Sequence, residues 1–249
     1  VGIDVELTGL KLPLVKPGDD FVTLILKSAG RIGGLKDGDV LVVASKVVGT
    51  AEGRLKELAG VKPSKKAKEL AKSSGLPAGF VEVVLREADE VLGTNKGAIL
   101  TIKNGVLCAN AGADRSNAPP GFAVLMPSRP DAAAKKIGEE VYRRSGKRIG
   151  VIIADSNVKP LRIGTVGQAV GVSGISAVLD CRGDLDIYGR PLKITFRAIA
   201  DQLATAAQVI MGEGAEQTPA VIIRGVKVAK STVSPKISPE KDLYASLFK

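Results

Sequence analysis

The sequence predicts an α+β fold. Two apolar runs of strand length, Val40-Leu-Val-Val-Ala44 and Ile149-Gly-Val-Ile-Ile-Ala154, alternate with stretches of helical spacing. An Asn104-Gly105 pair separates two further apolar runs, the signature of a β-hairpin. No internal repeat or long linker interrupts the chain.

In chain order, a strand is expected at Val1-Gly-Ile-Asp-Val5 and a helix near Asp19 to Lys27. The turn Lys36-Asp-Gly-Asp39 then opens the strand Val40–Ala44, which ends where polar Ser45-Lys46 replace the apolar run. Helices are predicted from Ala51 to about Leu58 and from Ser64 to Ser73, with Pro63 setting the start of the second and Ser64 near its capping position. A third runs from about Ala78 to Ala88. The hairpin pairs Ala98–Ile102 with Val106–Ala109, and Pro119-Pro120 precedes a short strand at Ala123–Met126. A helix over Asp131–Ser145 ends at Gly146, a residue suited to a C-cap. Strand Ile149–Ala154 delivers Asp155-Ser156 at its end. The glycine-rich stretch Gly164 to Gly174 does not fit a phosphate-binding loop of the GxxxxGK[ST] type, so its glycines are expected to serve close backbone packing. A helix over Ala198–Met211, closed by Gly212-Glu213-Gly214, and a strand at Ala220–Arg224 complete the set.

Composition narrows the function classes. The chain has 249 residues, 45% of them hydrophobic and 25% charged, which describes a globular protein able to bury a substantial core. Its apolar runs fall far short of the roughly 20 residues that span a bilayer, and the N-terminus lacks the pattern of a secretion signal. With two cysteines, Cys108 and Cys181, no disulfide framework is implied, and the cytoplasm is the expected compartment. The chain has no histidine. A zinc or iron site built from nitrogen and sulfur is therefore hard to assemble, and histidine-dependent hydrolase triads are excluded. Any metal would be held by oxygen, which points to Mg²⁺ or Mn²⁺. The net charge of +10 raises nucleic acid as a partner, but the aromatic fraction is only 3%, too low for a base-stacking surface. Its lysines and arginines cluster on expected helices, so solvated helix faces are the simpler reading, and the same field would attract small anionic substrates.

Three acids share one kind of context. Asp114 lies in the polar octapeptide Asn110-Ala-Gly-Ala-Asp114-Arg-Ser116-Asn117, Asp155 at a strand end, and Glu213 between glycines after a helix. Such positions expose a carboxylate on a rigid support, and adjacent glycine lets a ligand approach the backbone. Together they could hold one or two divalent ions, with Ser156 and Asn117 adding neutral oxygens; each taken singly reads first as a loop-solvating or capping residue, and the case rests on their joint occurrence in a chain without histidine. A second group suits an anion: Lys11 with the apolar shelf Leu12-Pro13-Leu14-Val15, Ser45-Lys46, and Lys159, Arg162, Arg182 and Arg190.

These residues carry a resemblance. Leu12–Val15, Ser45-Lys46 followed by Ala51-Glu-Gly-Arg54, Asn110–Asn117, Asp155-Ser156, Asp186-Ile-Tyr-Gly-Arg190, Ala200-Asp201 and Met211-Gly-Glu-Gly214 occur in the order seen in the archaeal coenzyme F420-0:L-glutamate ligase family. The match runs over nearly the whole chain, and the octapeptide and the Met-Gly-Glu-Gly element are its most specific parts. The resemblance implies a cytoplasmic, GTP-dependent ligase that adds L-glutamate to the tail of a deazaflavin coenzyme, forming amide and then γ-glutamyl bonds. It implies Mn²⁺ or Mg²⁺, two per site, with K⁺ assisting, and an intertwined homodimer. Each subunit would have two α+β domains, residues 1–90 with 195–249 and residues 91–194. Neither nucleic acid nor membrane would be a partner. By the same resemblance Asp114, Asp155 and Glu213 carry the chemistry, and Asp114, Asp155, Ser156 and Glu213 are the metal ligands. Leu12, Pro13, Leu14, Val15, Ser45, Lys46, Thr50, Asn117, Met211, Gly212, Gly214, Ala215, Glu216, Gln217 and Thr218 surround the nucleotide.

A carboxylate must be activated before an amine can attack it, and GTP would do so by forming an acyl phosphate. Phosphoryl transfer draws its catalysis from positioning and charge neutralisation, so a site without histidine suits it. The chain departs from the family pattern at two places. Thr50 stands where lysine usually precedes Ala-Glu-Gly-Arg, and Val158-Lys159-Pro160 stands where many members read Gly-Arg-Pro. A non-catalytic or substrate-shifted nucleotide- or deazaflavin-binding relative is therefore the alternative reading.

Overall fold

A computed structural model describes residues 4–226, 235–242, 244 and 246. The first part of the chain forms β1 (Glu6–Leu10), α1 (Phe21–Gly30), β2 (Val40–Ala44), α2 (Ser45–Ala51), β3 (Leu55–Glu57), α3 (Lys65–Ser74) and α4 (Ala78–Glu87). The middle adds β4 (Glu90–Asn95), β5 (Ala98–Lys103), β6 (Val106–Ala109), β7 (Phe122–Val124) and α5 (Pro130–Ser145). Then come β8 (Gly150–Val158), β9 (Thr165–Ser173), β10 (Leu179–Asp180), β11 (Phe196–Arg197), α6 (Ile199–Met211) and β12 (Ala220–Arg224). Helices and several mainly antiparallel sheets together make the α+β class expected from the sequence.

The central sheet has the order β1-β12-β2-β8-β9, with β2 and β8 parallel and the other neighbours antiparallel. Because β2 is buried on both faces, its five residues read as a continuous apolar run rather than an alternating one. Val40, Val42 and Ile152 meet α6 through Ala200, Leu203, Ala204 and Ala207. On the other face Leu41, Val43, Val151 and Ile153 meet Ile25 of α1 and Ala134, Ile137 and Val141 of α5. Burying each such valine, leucine or isoleucine contributes roughly 1.5–3 kcal/mol, which makes this three-layer stack the main source of stability. A second cluster packs α3 and α4 against the sheet β4-β5-β6, around Phe80, Val81, Val84 and Ile99.

Local signals explain the element ends. Asp20 caps α1 by accepting from the Thr23 amide at 3.2 Å, and Ser64 caps α3 by accepting from the Ala67 amide at 3.2 Å. Gly75 and Gly146 end α3 and α5 in the left-handed conformation. At the hairpin, Asn104 and Gly105 both take positive φ, 51° and 71°, as a two-residue turn of the primed kind requires. The Lys36–Asp39 turn is closed by Asp39, whose buried carboxylate accepts from the Lys36 amide at 2.7 Å. The same carboxylate takes a two-point contact from Arg224 at 2.9 and 2.8 Å.

The glycines after Gly164 serve close packing, as expected. A Cβ on Gly167 would lie 2.3 Å from the Ala204 carbonyl oxygen of α6, and one on Gly171 would lie 2.4 Å from the Pro130 carbonyl carbon of α5. The two helices cover opposite faces of β9. Its pairing with β8 slips between Ile153 and Ala154, so that Val170 and Gly171 both turn toward α5 while Ala169 and Val172 turn toward α6.

The structure corrects several expectations. The first strand is Glu6–Leu10 rather than Val1–Val5; residues 1–3 lie outside the described residues, and Asp4 and Val5 precede the strand. No helix spans 51–58. Gly53, at φ 73°, turns the chain, and Leu55–Glu57 pair with Phe122–Val124. The helix of that region starts earlier, at Ser45, directly from β2. Strand β8 runs on to Val158, so Asp155 and Ser156 lie within it, and β4 was not anticipated. The central sheet draws β2 and β12 from the segments expected to form the main domain, and β8 and β9 from the segment expected to form the second.

Candidate functional site

At the carboxyl ends of β2 and β8 a cleft of about 740 Å³ opens. Parallel pairing sets its floor. Ala44 and Ala154 are register partners, so the residues that follow them, Ser45 at the start of α2 and Asp155 in β8, stand side by side. The Ser45 hydroxyl donates to Asp155 Oδ1 at 2.5 Å. Crowding by protein at the bottom of the cleft pushes the Asp155 carboxyl up to about 6, against the lowering effects of the Ser45 hydrogen bond and the Lys46 charge.

The octapeptide enters from one side. Asn110, Ala111 and Gly112 all have positive φ, and Asn110 Oδ1 accepts from the Ile99 amide at 2.9 Å, tying the loop to β5. Gly112, at φ 68°, packs closely on Met126: a Cβ there would lie 2.4 Å from Met126 Cε. The chain then extends so that Asp114 exchanges two backbone hydrogen bonds with Val124. The Asp114 carboxylate accepts from Lys46 at 2.5 Å and from the Ser116 hydroxyl and amide at 2.6 and 2.8 Å. Burial opposes its ionisation, but these contacts outweigh it and hold the carboxyl below the usual range. Asn117 reaches across the cleft, donating to the Gly214 and Glu213 carbonyls at 3.2 and 3.4 Å.

The opposite wall is the segment after α6. Gly212 (φ 68°) redirects the chain, Lys11 donates to the Glu216 carbonyl at 2.5 Å, and the Leu12 amide donates to the Gln217 carbonyl at 3.1 Å. Glu213 Oε1 accepts from Ser156 at 2.7 Å and Thr165 at 3.0 Å, and also from Gln208. Partial burial works against the charge on Glu213, and these donors together with Lys46 more than offset it, leaving its carboxyl below the usual range.

The cleft gathers what the sequence dispersed. Leu12, Pro13, Leu14, Val15, Ser45, Lys46, Thr50, Asn117, Met211, Gly212, Gly214, Ala215, Glu216, Gln217 and Thr218 all line it, with Asp155, Ser156 and Glu213. Asp114 stands behind Lys46. Thr50 hydrogen-bonds back to the Lys46 carbonyl at 2.9 Å. The basic residues Lys159, Arg162, Arg182 and Arg190 do not line the cleft; Arg182 pairs with Asp180 and Arg190 with Asp186, each stacked on a neighbouring ring. Among the described residues, no three acidic or thiol side chains converge on a single point. The four expected metal ligands instead form two neighbouring groups, Asp114 with Asp155 about Lys46 and Ser45, and Ser156 with Glu213. Gln208 and Thr165 were not foreseen. Each is a single polar residue on an otherwise ordinary element, and only the fold brings them to Glu213.

The four expected ligands on this floor offer oxygen alone. Asp155 is crowded without full compensation of its charge, and among the described residues no donor reaches Glu213 Oε2. The residues present therefore fit an oxygen-coordinated cation such as Mn²⁺ or Mg²⁺.

Comparison with known proteins places the chain in a family. The family model described as F420-0:Gamma-glutamyl ligase matches residues 9–225. The chain is 46% identical over 214 residues to the Coenzyme F420:L-glutamate ligase of Methanopyrus kandleri, covering 86% of this chain and 83% of that protein. It is 43% identical over 240 residues to the protein of that name from Archaeoglobus fulgidus (96% of this chain, 95% of that protein). With the one from Methanocaldococcus jannaschii it shares 45% identity over 247 residues, 96% of each chain. The chain belongs to the F420-0:gamma-glutamyl ligase family.

Proposed function

We propose that this chain is a ligase that joins L-glutamate to the coenzyme F420 precursor F420-0, using GTP to activate the carboxylate as an acyl phosphate and forming amide and then γ-glutamyl bonds. The observation that supports this reading is the meeting, in one cleft, of an apolar shelf, a loop of exposed backbone and an acidic floor beside Lys46. Leu12–Val15 offers a surface for a planar base, with Pro13 fixing its shape. The 211–218 loop presents backbone groups beside it, and Lys46 supplies a positive charge to phosphate at the floor. Asp114 and Ser116 hold that ammonium in place.

Asp114, Asp155, Ser156 and Glu213 would hold Mn²⁺ or Mg²⁺, one or two ions per site. Such an ion would neutralise phosphate charge as the phosphoryl group moves. Ser45 keeps the Asp155 carboxylate oriented toward the floor. Asn117 bridges the octapeptide to the 213–214 carbonyls and so closes the wall around the phosphates. The apolar shelf limits water near the acyl phosphate, which favours attack by the glutamate amine over hydrolysis. K⁺ would assist turnover.

A homodimer is part of the same proposal. Leu161, Ile163, Ile187 and Ile194 are 103%, 107%, 91% and 86% exposed along residues 158–196, a concentration of apolar surface that a second copy would cover. Light scattering of the purified protein should give twice the chain mass, and a monomer at micromolar concentration would contradict it. No helix among the described residues is long and apolar enough to cross a membrane.

The alternative, a substrate-shifted or non-catalytic relative, is favoured by one observation. Thr50 lines the cleft with its hydroxyl turned back to the helix, so that position brings no charge to a phosphate. GDP release separates the two. A ligase releases GDP only when GTP, Mn²⁺, L-glutamate and F420-0 are all present, whereas a binding protein releases none.

A further inference from the structure

We infer that Gln208 is a positioning residue for Glu213, determining which carboxylate oxygen faces the cleft. Its side-chain nitrogen donates to Ser156 Oγ and Thr165 Oγ1, both at 3.1 Å, and also approaches Glu213 Oε1. The two hydroxyls donate to that same Oε1, at 2.7 and 3.0 Å. The protons account for this arrangement: one amide hydrogen serves Glu213 Oε1, the other is shared between the two hydroxyl oxygens, and each hydroxyl carries its own hydrogen for Oε1. The reverse amide orientation would turn its oxygen toward the hydroxyls and draw their protons away from the carboxylate, so the network itself selects the nitrogen.

The consequence is directional. Oε1 is saturated, and among the described residues no donor reaches Oε2, so Glu213 takes a ligand in one-point fashion through Oε2. Glu213 needs such a restraint because it stands between Gly212 and Gly214, with Gly212 at φ 68°. Gln208 lies in the last turn of α6, a helix packed on β9. A rigid helix thus orients a side chain that its own loop leaves free. Outer partners of this kind typically change metal affinity 10–100-fold.

The inference rests on the reading that Glu213 and Ser156 hold a divalent cation, and binding of Mn²⁺ to nucleotide-free protein tests the two separately. Free Mn²⁺ would be followed by electron paramagnetic resonance in wild type, Gln208→Met, Thr165→Val, Glu213→Gln and the Gln208→Met/Glu213→Gln pair, with thermal unfolding of each. The expected result is about tenfold weaker binding in Gln208→Met, a smaller loss in Thr165→Val, and no further loss on adding Gln208→Met to Glu213→Gln. Unfolding temperatures near wild type should accompany these changes. Wild-type affinity in Gln208→Met and Thr165→Val, with Glu213→Gln weakened, overturns the positioning role and leaves the cation reading standing. An additive loss in the pair also overturns it. Wild-type affinity in Glu213→Gln, or no Mn²⁺ binding by wild type, overturns both.

Discussion

Ser45 and Asp155 are joined by a 2.5 Å hydrogen bond because Ala44 and Ala154, the residues before them, are partners in adjacent parallel strands. The floor of the cleft is thus an outcome of sheet register. Asp155 occupies a crowded place where its charge is costly, and Ser45, itself buried, offsets part of that cost. Ser45→Ala should lower stability by about 1–3 kcal/mol, the usual effect of removing a partner from a buried polar group. Urea denaturation at neutral pH checks this.

Asp155→Asn should move two quantities in opposite directions. Removing the charge should raise the melting temperature of the protein in chelator by an amount corresponding to about 3 kcal/mol, since a raised carboxyl is a stability cost at pH 7. The same change should weaken Mn²⁺ binding. A drop in melting temperature would show that Asp155 is better compensated than its surroundings indicate.

Gly167→Ala should disturb the site from a distance. Its Cβ would meet the Ala204 carbonyl oxygen, which belongs to helix backbone and cannot rotate away. Overpacking of this kind costs about 1–3 kcal/mol. Because α6 carries Gln208 and leads into Glu213, loss of stability should be accompanied by weaker Mn²⁺ binding. Calorimetry and Mn²⁺ titration on the same preparation test the coupling.

Asp20 supplies a pH dependence whose sign is fixed. Its carboxyl is lowered to about 2, first by the Arg144 hydrogen bond and then by Thr23. Its folded value lies below the ordinary value near 3.8, so its contribution is present above pH 4 and is lost as pH falls toward 2. The group is exposed, so salt should weaken the effect. Asp20→Ala should cost about 1 kcal/mol at pH 7 as a lost helix cap and give a flatter stability profile between pH 4 and 2. Denaturant melts across that range measure both.

Asn117→Ala should loosen the cleft without unfolding the protein. It removes the bonds to the 213 and 214 carbonyls and places alanine at φ 54°, where a Cβ is disfavoured. GTP affinity, followed by calorimetry, should fall by about tenfold if each lost bond is worth about 0.5–1.5 kcal/mol.

What the sequence made legible was local. The run Val40–Ala44, the Asn104-Gly105 turn and the Gly146 cap each carry their signal within a few residues. Strand β4 did not, because Glu90-Val-Leu-Gly-Thr-Asn95 holds neither an apolar run nor a clean alternation, and it is a strand by virtue of pairing with β5. Helix α2 was displaced in the reading because Ser45-Lys46 looks like a strand end, which it is, and also begins a helix. At the site, Asp114, Asp155 and Glu213 stood out by their glycine- and asparagine-rich surroundings. The cleft wall at Leu12–Val15 gained meaning from its resemblance to a family rather than from any pattern of its own. Gln208 and Thr165 were invisible because they are 43 residues apart and meet only through the packing of α6 on β9.

The most direct test of the central claim is mass spectrometry of F420-0 after incubation with the purified protein, GTP, Mn²⁺ and L-glutamate, alongside Asp114→Asn, Asp155→Asn and Glu213→Gln. The expected result is a coenzyme heavier by one or more glutamyl residues, with one GDP released per residue added, and little product from the three variants. Unchanged F420-0 with no GDP release by wild type, or undiminished product from all three variants, would contradict it.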